Sequence, residues 1–346
     1  HLSIRRQRQM CIRDRGYTGK PDSYYNAIIN WVKQRYDLIV TKEVINFVPG
    51  IVPGIGMAMN CFTQKGDKVM IQPPVYHPFA WVTTRNERTL VINPLKWENG
   101  MYRMDLDAFR EQIKGCKLFI LCNPHNPGGV VWTEAELRAI ADICYDEKVL
   151  VFSDEIHADL TLPPHTHRPF ATVSEKARMN SVTFMSPSKA FNMPGLSASH
   201  ALIFNEDLRK RFRIYMDAGE LDMGHVFAFL SVEAAYSHGT EWLDQCLAYI
   251  QGNIDFVDDF LKNHAPKIKA IRPEASYLVW LDCRELKLSQ KDLNEFFVDK
   301  AHLALNDGEM FGKEGIGFMR LNVASPRCII EKAMKQLADA YQLYIK

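Results

Sequence analysis

Six short apolar runs, "KVMIQ", "TLVINPL", "CKLFILC", "KVLVFSDE", "SVTFM" and "SHALIF", punctuate the first two thirds of this 346-residue chain. Each is too short for a stable helix and is bounded by polar or turn-forming residues, which predicts strands, several of them buried on both faces. Helix-like or turn-like pieces separate them. The clearest is "TEAELRAIADICYDE", where Thr133 is placed to cap the start and Glu136, three residues on, completes a capping box. Ahead of the runs, "SYYNAIINWVKQRYD" has apolar residues at helical spacing, with Ser23 as a start signal. "NFVPGIVPGIGMAMNCFTQKGD" predicts a Pro/Gly turn feeding a helix that ends near Lys65 and Gly66. Strands alternating with such helices from about residue 45 to residue 240 imply an α/β fold, a largely parallel or mixed sheet covered on both faces. Polar residues at the strand ends then converge along one edge, where open α/β sheets bind ligands.

The pattern changes afterwards. Residues 223–262 read as mostly helical and include the long stretch "TEWLDQCLAYIQGNIDFVDDFLKNH". "KIKAI", "SYLVWLD" and "FMRLNVA" are strand candidates, while "SQKDLNEFFVDKA" and "PRCIIEKAMKQLADAYQLYI" are amphipathic helices. A smaller α+β domain over 263–346 is the expectation. No repeat or low-complexity tract suggests a solenoid or scaffold.

Charge adds little to this picture: Lys+Arg number 42 and Asp+Glu 41, so no broad excess argues for a nucleic-acid or anionic-membrane partner. The start is the exception. "HLSIRRQRQMCIRDR" holds five arginines in fifteen residues without apolar periodicity, and a disordered or foreign leader on a truncated sequence is expected over 1–15 in preference to a basic arm for an anionic partner. Eight cysteines are scattered without a close CxxC pair; free thiols in a reducing cytosol explain them better than disulfides or a zinc site, and no metal is expected. With no run of roughly 20 apolar residues and no signal peptide, the expectation is a cytoplasmic protein.

Candidate chemistry sits in four segments at or beside predicted strand ends: "CNPHNPGG" (122–129), "SDEIHADL" (153–160), "MSPSKAFNMPGL" (185–196) and "FMRLNVA" (318–324). Singly they say little. Asp154 could cap a helix, Asn126 before Pro127 is a common turn former, Lys189 alone would be a solvated amine, and Arg320 a salt-bridge partner. Their joint order carries the signal.

In that order they resemble the aspartate-aminotransferase-type, or fold type I, superfamily of pyridoxal-phosphate enzymes over nearly all of residues 16–346. Within it, "YYNAIINWVKQRY", "PGIVPGI", "QPPVYHPF" and "DEIHADL" are similar to the MalY/PatB-like branch of cystathionine β-lyases and cysteine-S-conjugate β-lyases. The resemblance implies an aspartate-aminotransferase-like fold with a mixed, mostly parallel seven-stranded sheet, divided into a remnant of an N-terminal segment over 16–44, a large cofactor domain over 45–262 and the small domain over 263–346. It implies pyridoxal 5'-phosphate as cofactor, with Lys189 as the amine that joins its aldehyde and later moves the Cα proton. Asp154 would pair with the pyridine nitrogen, Asn126 with the phenolic oxygen, and Tyr76 would stack on the ring. The amides of Ile51 and Val52 and the hydroxyls of Ser186 and Ser188 would hold the phosphate. His157 stands where other branches place a tyrosine. Arg320 would grip the carboxylate of an amino-acid substrate, and Tyr17 would reach the neighbouring subunit's phosphate, implying a homodimer with shared active sites. Many aminotransferases carry an arginine eight residues after the lysine; here Ser197 stands there. The implied reaction is β-elimination from sulfur amino acids; the alternatives are transamination and a catalytically impaired regulatory or structural relative. The resemblance also implies that an N-terminal segment next to the substrate entrance is absent, which would loosen closure of the small domain.

Overall fold

The computed structural model describes residues 19–344. Its strands before the long helix Thr240–His264 are β1 (Ile45–Val48), β2 (Lys68–Ile71), β3 (Thr89–Ile92), β4 (Lys96–Glu98), β5 (Met101–Arg103), β6 (Cys116–Cys122), β7 (Leu150–Asp154), β8 (Ser181–Met185) and β9 (Ser199–Leu202). Among the described residues, all but the β4–β5 hairpin join one seven-stranded sheet in the order β1–β9–β8–β7–β6–β2–β3. The run from β8 to β3 is parallel, and β9 is antiparallel to both of its neighbours. This is the mixed, mostly parallel sheet that the resemblance implied.

The apolar runs account for six of those strands. The seventh, β1, lies in "INFV", which runs straight into Pro49 and Gly50 and so reads as part of their turn. The helix that follows, Ile51–Phe62, stops three residues earlier than Lys65 because Thr63 closes it, its Oγ1 donating to Met59 O at 2.7 Å.

Period-two alternation sorts the central strands between two apolar layers. Leu118, Ile120, Phe152 and Phe184 pack beneath the helix Ile51–Phe62, while Phe119, Leu121 and Val151 face the helix Glu134–Asp146. That helix carries the anticipated capping box, with Thr133 Oγ1 accepting from Glu136 N and the Glu136 side chain accepting from Thr133 N. Phe152 is fully buried, and Phe152→Ala would cost about 3–5 kcal/mol. Gly54 allows the helix Ile51–Phe62 to sit close on the sheet, since a Cβ there would lie 2.9 Å from Val48 Cγ2 and 3.2 Å from Phe184 Cε1. Its N-terminus is thereby pinned at the C-terminal edge of the parallel strands.

The N-terminal helix Asp22–Tyr36 starts after Pro21 without a side-chain cap; Ser23 instead donates to Glu233 at 2.7 Å, so its hydroxyl ties two helices together. Trp31 stacks on Tyr236 at 4.8 Å between ring centroids. The helical stretch at 223–262 is two helices, Val226–His238 and Thr240–His264, parted at Gly239. The expected domain boundary at 262/263 falls in the last turn of the second. Beyond it, β10 (Lys269–Ile271), β11 (Leu278–Asp282), β12 (Asn306–Asp307) and β13 (Phe318–Asn322) form an antiparallel sheet in the order β10–β11–β13–β12. "SQKDLNEFFVDKA" begins as an α-helix at Gln290 and widens to a π-helix over Phe296–Lys300. The small sheet is tied to the β4–β5 hairpin through Trp280, which stacks on Phe318 and donates from Nε1 to Tyr102 Oη at 3.2 Å.

The seven described cysteines are free thiols. No described helix is long and apolar enough to cross a membrane.

Candidate active site

Three neighbouring parallel strands deliver the chemistry to one edge. Cys122 at the end of β6 pairs in register with Asp154 at the end of β7, which pairs with Phe184 in β8. Past those ends the chain turns over the edge, placing Asn126, Asp154, His157, Ser188 and Lys189 around a cavity of about 460 Å³. Gly50, Ile51 and Val52 enter from the helix N-terminus, Tyr76 from the turn after β2, and Arg320, Asn306 and Tyr277 from the small sheet and its loops.

Asp154 is 4% exposed, and its carboxylate accepts one hydrogen bond, from Ile156 N at 3.1 Å. Burial pushes its pKa up to about 7; the Ile156 amide opposes this, the Glu155 charge adds to it and Lys189 opposes it. A buried carboxylate with a single amide donor favours a cationic N–H beside it. Lys189, four residues beyond β8, makes no hydrogen bond or ion pair among the described residues. Burial lowers its pKa, the nearby Arg320 charge lowers it further, and Asp154 pulls it back. An amine so biased towards its neutral form is a better nucleophile.

At the other end of the cavity the first intrahelical bond of Ile51–Phe62 is Gly54 N to Gly50 O. The amides of Ile51 and Val52 therefore have no acceptor within the helix, and Pro53 has no N–H to satisfy. Gly50 makes the entry at φ 120°, a conformation that favours glycine. Ser186 Oγ gives its one proton to Ala198 O, so across the 2.8 Å contact between the two hydroxyls Ser188 Oγ donates to Ser186 Oγ, and a bound phosphate would draw that proton to itself by rotation of the Ser188 hydroxyl. Ser186 does not line the cavity. Its hydroxyl lies behind, bonded to Ala198 O and Ser188, so it supports Ser188 from the second row.

Arg320 fixes the orientation of Asn126. A guanidinium can only donate, so the 2.9 Å contact from Arg320 Nη1 requires Asn126 to present Oδ1 to it, which leaves Asn126 Nδ2 as a donor. His157 is buried, with Nδ1 unpartnered and its ring 6.3 Å from that of Tyr277. Burial, then the Lys189 and Arg320 charges, hold its pKa down at about 3, so it is neutral. Tyr76 stands half-buried at the wall, its ring edge-on to Phe79. Tyr17 lies outside the described residues.

These groups fit pyridoxal phosphate: an under-satisfied buried acid for the ring nitrogen, an unpaired amine for the aldehyde, and free helix amides with a serine hydroxyl for the phosphate. Among the described residues, buried Arg320 Nε and His157 Nδ1 have no partner. The sequence reading assigned no role to Tyr277, Asn306 or Cys122, which also line the cavity. Tyr277 looked like an ordinary strand residue, and Asn306 belongs to a strand of two residues with no periodic signal.

A mostly parallel sheet that gathers a lysine, an acid and a phosphate cradle at one edge defines a pyridoxal-phosphate-dependent enzyme. Known proteins agree with this. The chain belongs to the aminotransferase class I and II family, whose pattern matches residues 13–337. It is 38% identical over 327 residues to cystathionine β-lyase PatB of Bacillus subtilis (strain 168), covering 94% of this chain and 84% of PatB. It is 29% identical over 324 residues to protein MalY of Escherichia coli (strain K12), covering 93% and 82%. Among solved structures, cystalysin from Treponema denticola, which contains a pyridoxal 5'-phosphate cofactor, superposes with a TM-score of 0.93 at 35% identity, over 96% of this chain and 84% of cystalysin.

Proposed function

We infer that the cleft residues divide between them the work of a pyridoxal-phosphate-dependent carbon–sulfur β-lyase. The enzyme eliminates a thiol from a sulfur amino acid such as cystathionine or a cysteine S-conjugate, leaving, after uptake of water, pyruvate and ammonia. The observation that carries the division of roles is the convergence of Lys189, Asp154, Asn126 and Arg320 on one cavity. When bound, the cofactor supplies an aldehyde for the substrate amine and a cationic ring that takes up the electron pair of the breaking Cα–H bond. Lys189 Nζ holds the aldehyde until substrate arrives, then accepts the Cα proton and returns a proton to the departing sulfur. The Asp154 carboxylate keeps the ring nitrogen protonated, and Asn126 Nδ2 donates to the ring's phenolic oxygen. Ser188, backed by Ser186, and the Ile51 and Val52 amides hold the phosphate. Tyr76 covers one ring face, with neutral His157 beside the ring. Arg320 receives the α-carboxylate and so fixes which Cα bond faces Lys189.

The proposal extends to a cytoplasmic homodimer in which Tyr17 reaches the partner's phosphate site, and to a division into large and small domains near residue 262. Support for a covered face comes from the exposed apolar side chains Ile214, Met223, Phe227 and Leu230. A sedimentation measurement that finds only monomer overturns the dimer.

Incubating cofactor-loaded protein with cystathionine, without any keto acid, tests the reaction. Equal amounts of pyruvate and thiol are expected. Strict dependence on an added keto acid would show transamination instead, and no turnover despite bound cofactor would point to a catalytically impaired relative.

A further inference from the structure

Arg320 is a half-buried cation without an ion pair among the described residues. Its direct contacts are neutral: Nη1 donates to Asn126 Oδ1 at 2.9 Å, Nη2 donates to Asn306 Oδ1 at 2.7 Å, and the guanidinium carbon lies 4.6 Å from the centre of the Phe311 ring. Nε is buried with no acceptor. Asn306 sits directly opposite Arg320 in the β12–β13 pairing.

The next residue is an acid, and it is committed elsewhere. Asp307 accepts from Gln290 Nε2 at 2.6 Å, from Glu309 N at 2.9 Å and from Asn294 Nδ2 at 2.5 Å. Successive side chains of a strand point to opposite faces, so the two-residue strand presents an amide to Arg320 and keeps the carboxylate away. A one-residue slip would put Asp307 on the guanidinium. Gln290 resists that slip, because its other amide atom, Oε1, accepts from Gly317 N at 2.7 Å, just before β13. The same loop reaches the cofactor side: Phe311 O accepts from Val75 N, the residue before Tyr76, at 2.9 Å.

We propose that Asn306 is a positioning and specificity residue for Arg320: a neutral acceptor that aligns the guanidinium without neutralising it, reserving its charge for the substrate α-carboxylate. This rests on the assignment of Arg320 to that carboxylate. A purely structural Asn306 and a charge-reserving one predict opposite orders for two variants. Aspartate is nearly isosteric and keeps the oxygen that Nη2 needs, so a structural role ranks Asn306→Asp above Asn306→Ala. Charge reservation reverses the order, because an aspartate there becomes an internal counter-ion competing with the ligand.

The probe is propionate, which carries the carboxylate but no amine and no leaving group. Its binding to cofactor-loaded protein is followed by calorimetry, with n-propanol as control. Expected is the order wild type, then Asn306→Ala weaker by a few fold, then Asn306→Asp weaker than wild type by about tenfold or more. KM for cystathionine should follow the same order while kcat changes less. Thermal midpoints without ligand show that the variants fold, and Asn306→Asp should melt no lower than wild type because it gains an ion pair. Propionate binding by Asn306→Asp as tight as, or tighter than, that by Asn306→Ala overturns the proposal; so does wild-type protein that fails to bind propionate. Absence of pyruvate from cystathionine would sink the lyase reading without touching the propionate order, so the two fail separately.

Discussion

Asp154 and Glu155 are consecutive buried carboxylates at the end of β7, and their surroundings are opposite. Asp154 faces the cavity with a single amide donor. Glu155 faces the protein behind the turn, where it accepts from Ser153 Oγ and Phe170 N, each at 2.8 Å, and lies 2.8 Å from His167 Nε2. The alternation continues along the turn: His157 faces the cavity without a partner, while Asp159 points back and accepts from Trp31 Nε1 at 2.9 Å and from Tyr36 Oη. One side is left under-satisfied so that a ligand can complete it, and the other is saturated so that the turn does not move when the ligand does. Buried polar groups are normally paired, and in this turn the under-satisfied carboxylate and imidazole are the ones that line the cavity.

Replacing groups on the cavity side should therefore cost chemistry, and on the far side stability. The largest effect belongs to Lys189→Ala, which removes the group that moves the Cα proton; pyruvate formation should fall by about 10³-fold or more with little change in melting temperature. Asp154→Asn should lower turnover by about 10²-fold or more, measured as pyruvate release at saturating cofactor, yet raise the stability of the cofactor-free protein. The sign follows from the pKa. An unfolded aspartate titrates near 3.8 and the folded one near 7, so between those values the folded state holds the extra proton and stability falls as pH rises, levelling off above about 7. At pH 8 the asparagine variant escapes that loss, and urea unfolding should show it more stable than wild type by up to a few kcal/mol. A less stable variant would mean that Asp154 is no more strained than Glu155.

The same contrast explains what the sequence could show. Lys189, Asp154 and Asn126 stand at or just past apolar runs, and strand ends on one edge must converge, so their meeting could be anticipated from pattern and order; Arg320 lies mid-strand in the separate small sheet, and only the family resemblance joined it to them. Ser186 and Ser188 share a spacing of two and looked equivalent; only the turn geometry sends one hydroxyl to the cavity and the other to Ala198 O. Partners far apart in the chain left no trace. Nothing local links Glu155 to His167, Asp159 to Trp31, or Arg320 to Asn306, because each pair is made by tertiary packing alone. Two strands were lost to their surroundings: β12 has only two residues, too few for periodicity, and β1, although as long as β2, β3 and β9, runs straight into Pro49 and Gly50.

Next in size are the saturated groups. Glu155→Ala leaves Ser153, Phe170 N and His167 without their acceptor and should lower unfolding free energy by about 3–5 kcal/mol, whereas Glu155→Gln, which keeps one oxygen, should recover part of it. Cofactor absorbance per folded molecule should change little in either; a variant that folds normally but loses its cofactor would place Glu155 on the functional side.

The smallest effect is the most discriminating. Trp31→Phe keeps an aromatic ring against Tyr236 but deletes the Nε1–H donor to Asp159, on the far side of the turn from the cavity. Burial already raises the pKa of Asp159, and the hydrogen bonds from Tyr36 and Trp31 oppose that rise. Losing one of them lifts the folded-state value further. The unfolded carboxyl is common to both proteins and cancels, so the penalty appears where the folded wild-type carboxyl is ionised, about 1–2 kcal/mol there, and shrinks as pH falls through that raised folded-state value. Urea unfolding at pH 7 and pH 4.5 should show that difference, with kcat and KM for cystathionine unchanged at pH 7. A fall in kcat without a loss of stability would mean that the back of the turn transmits to Asp154 and His157, and that saturation there tunes the chemistry as well as holding it still.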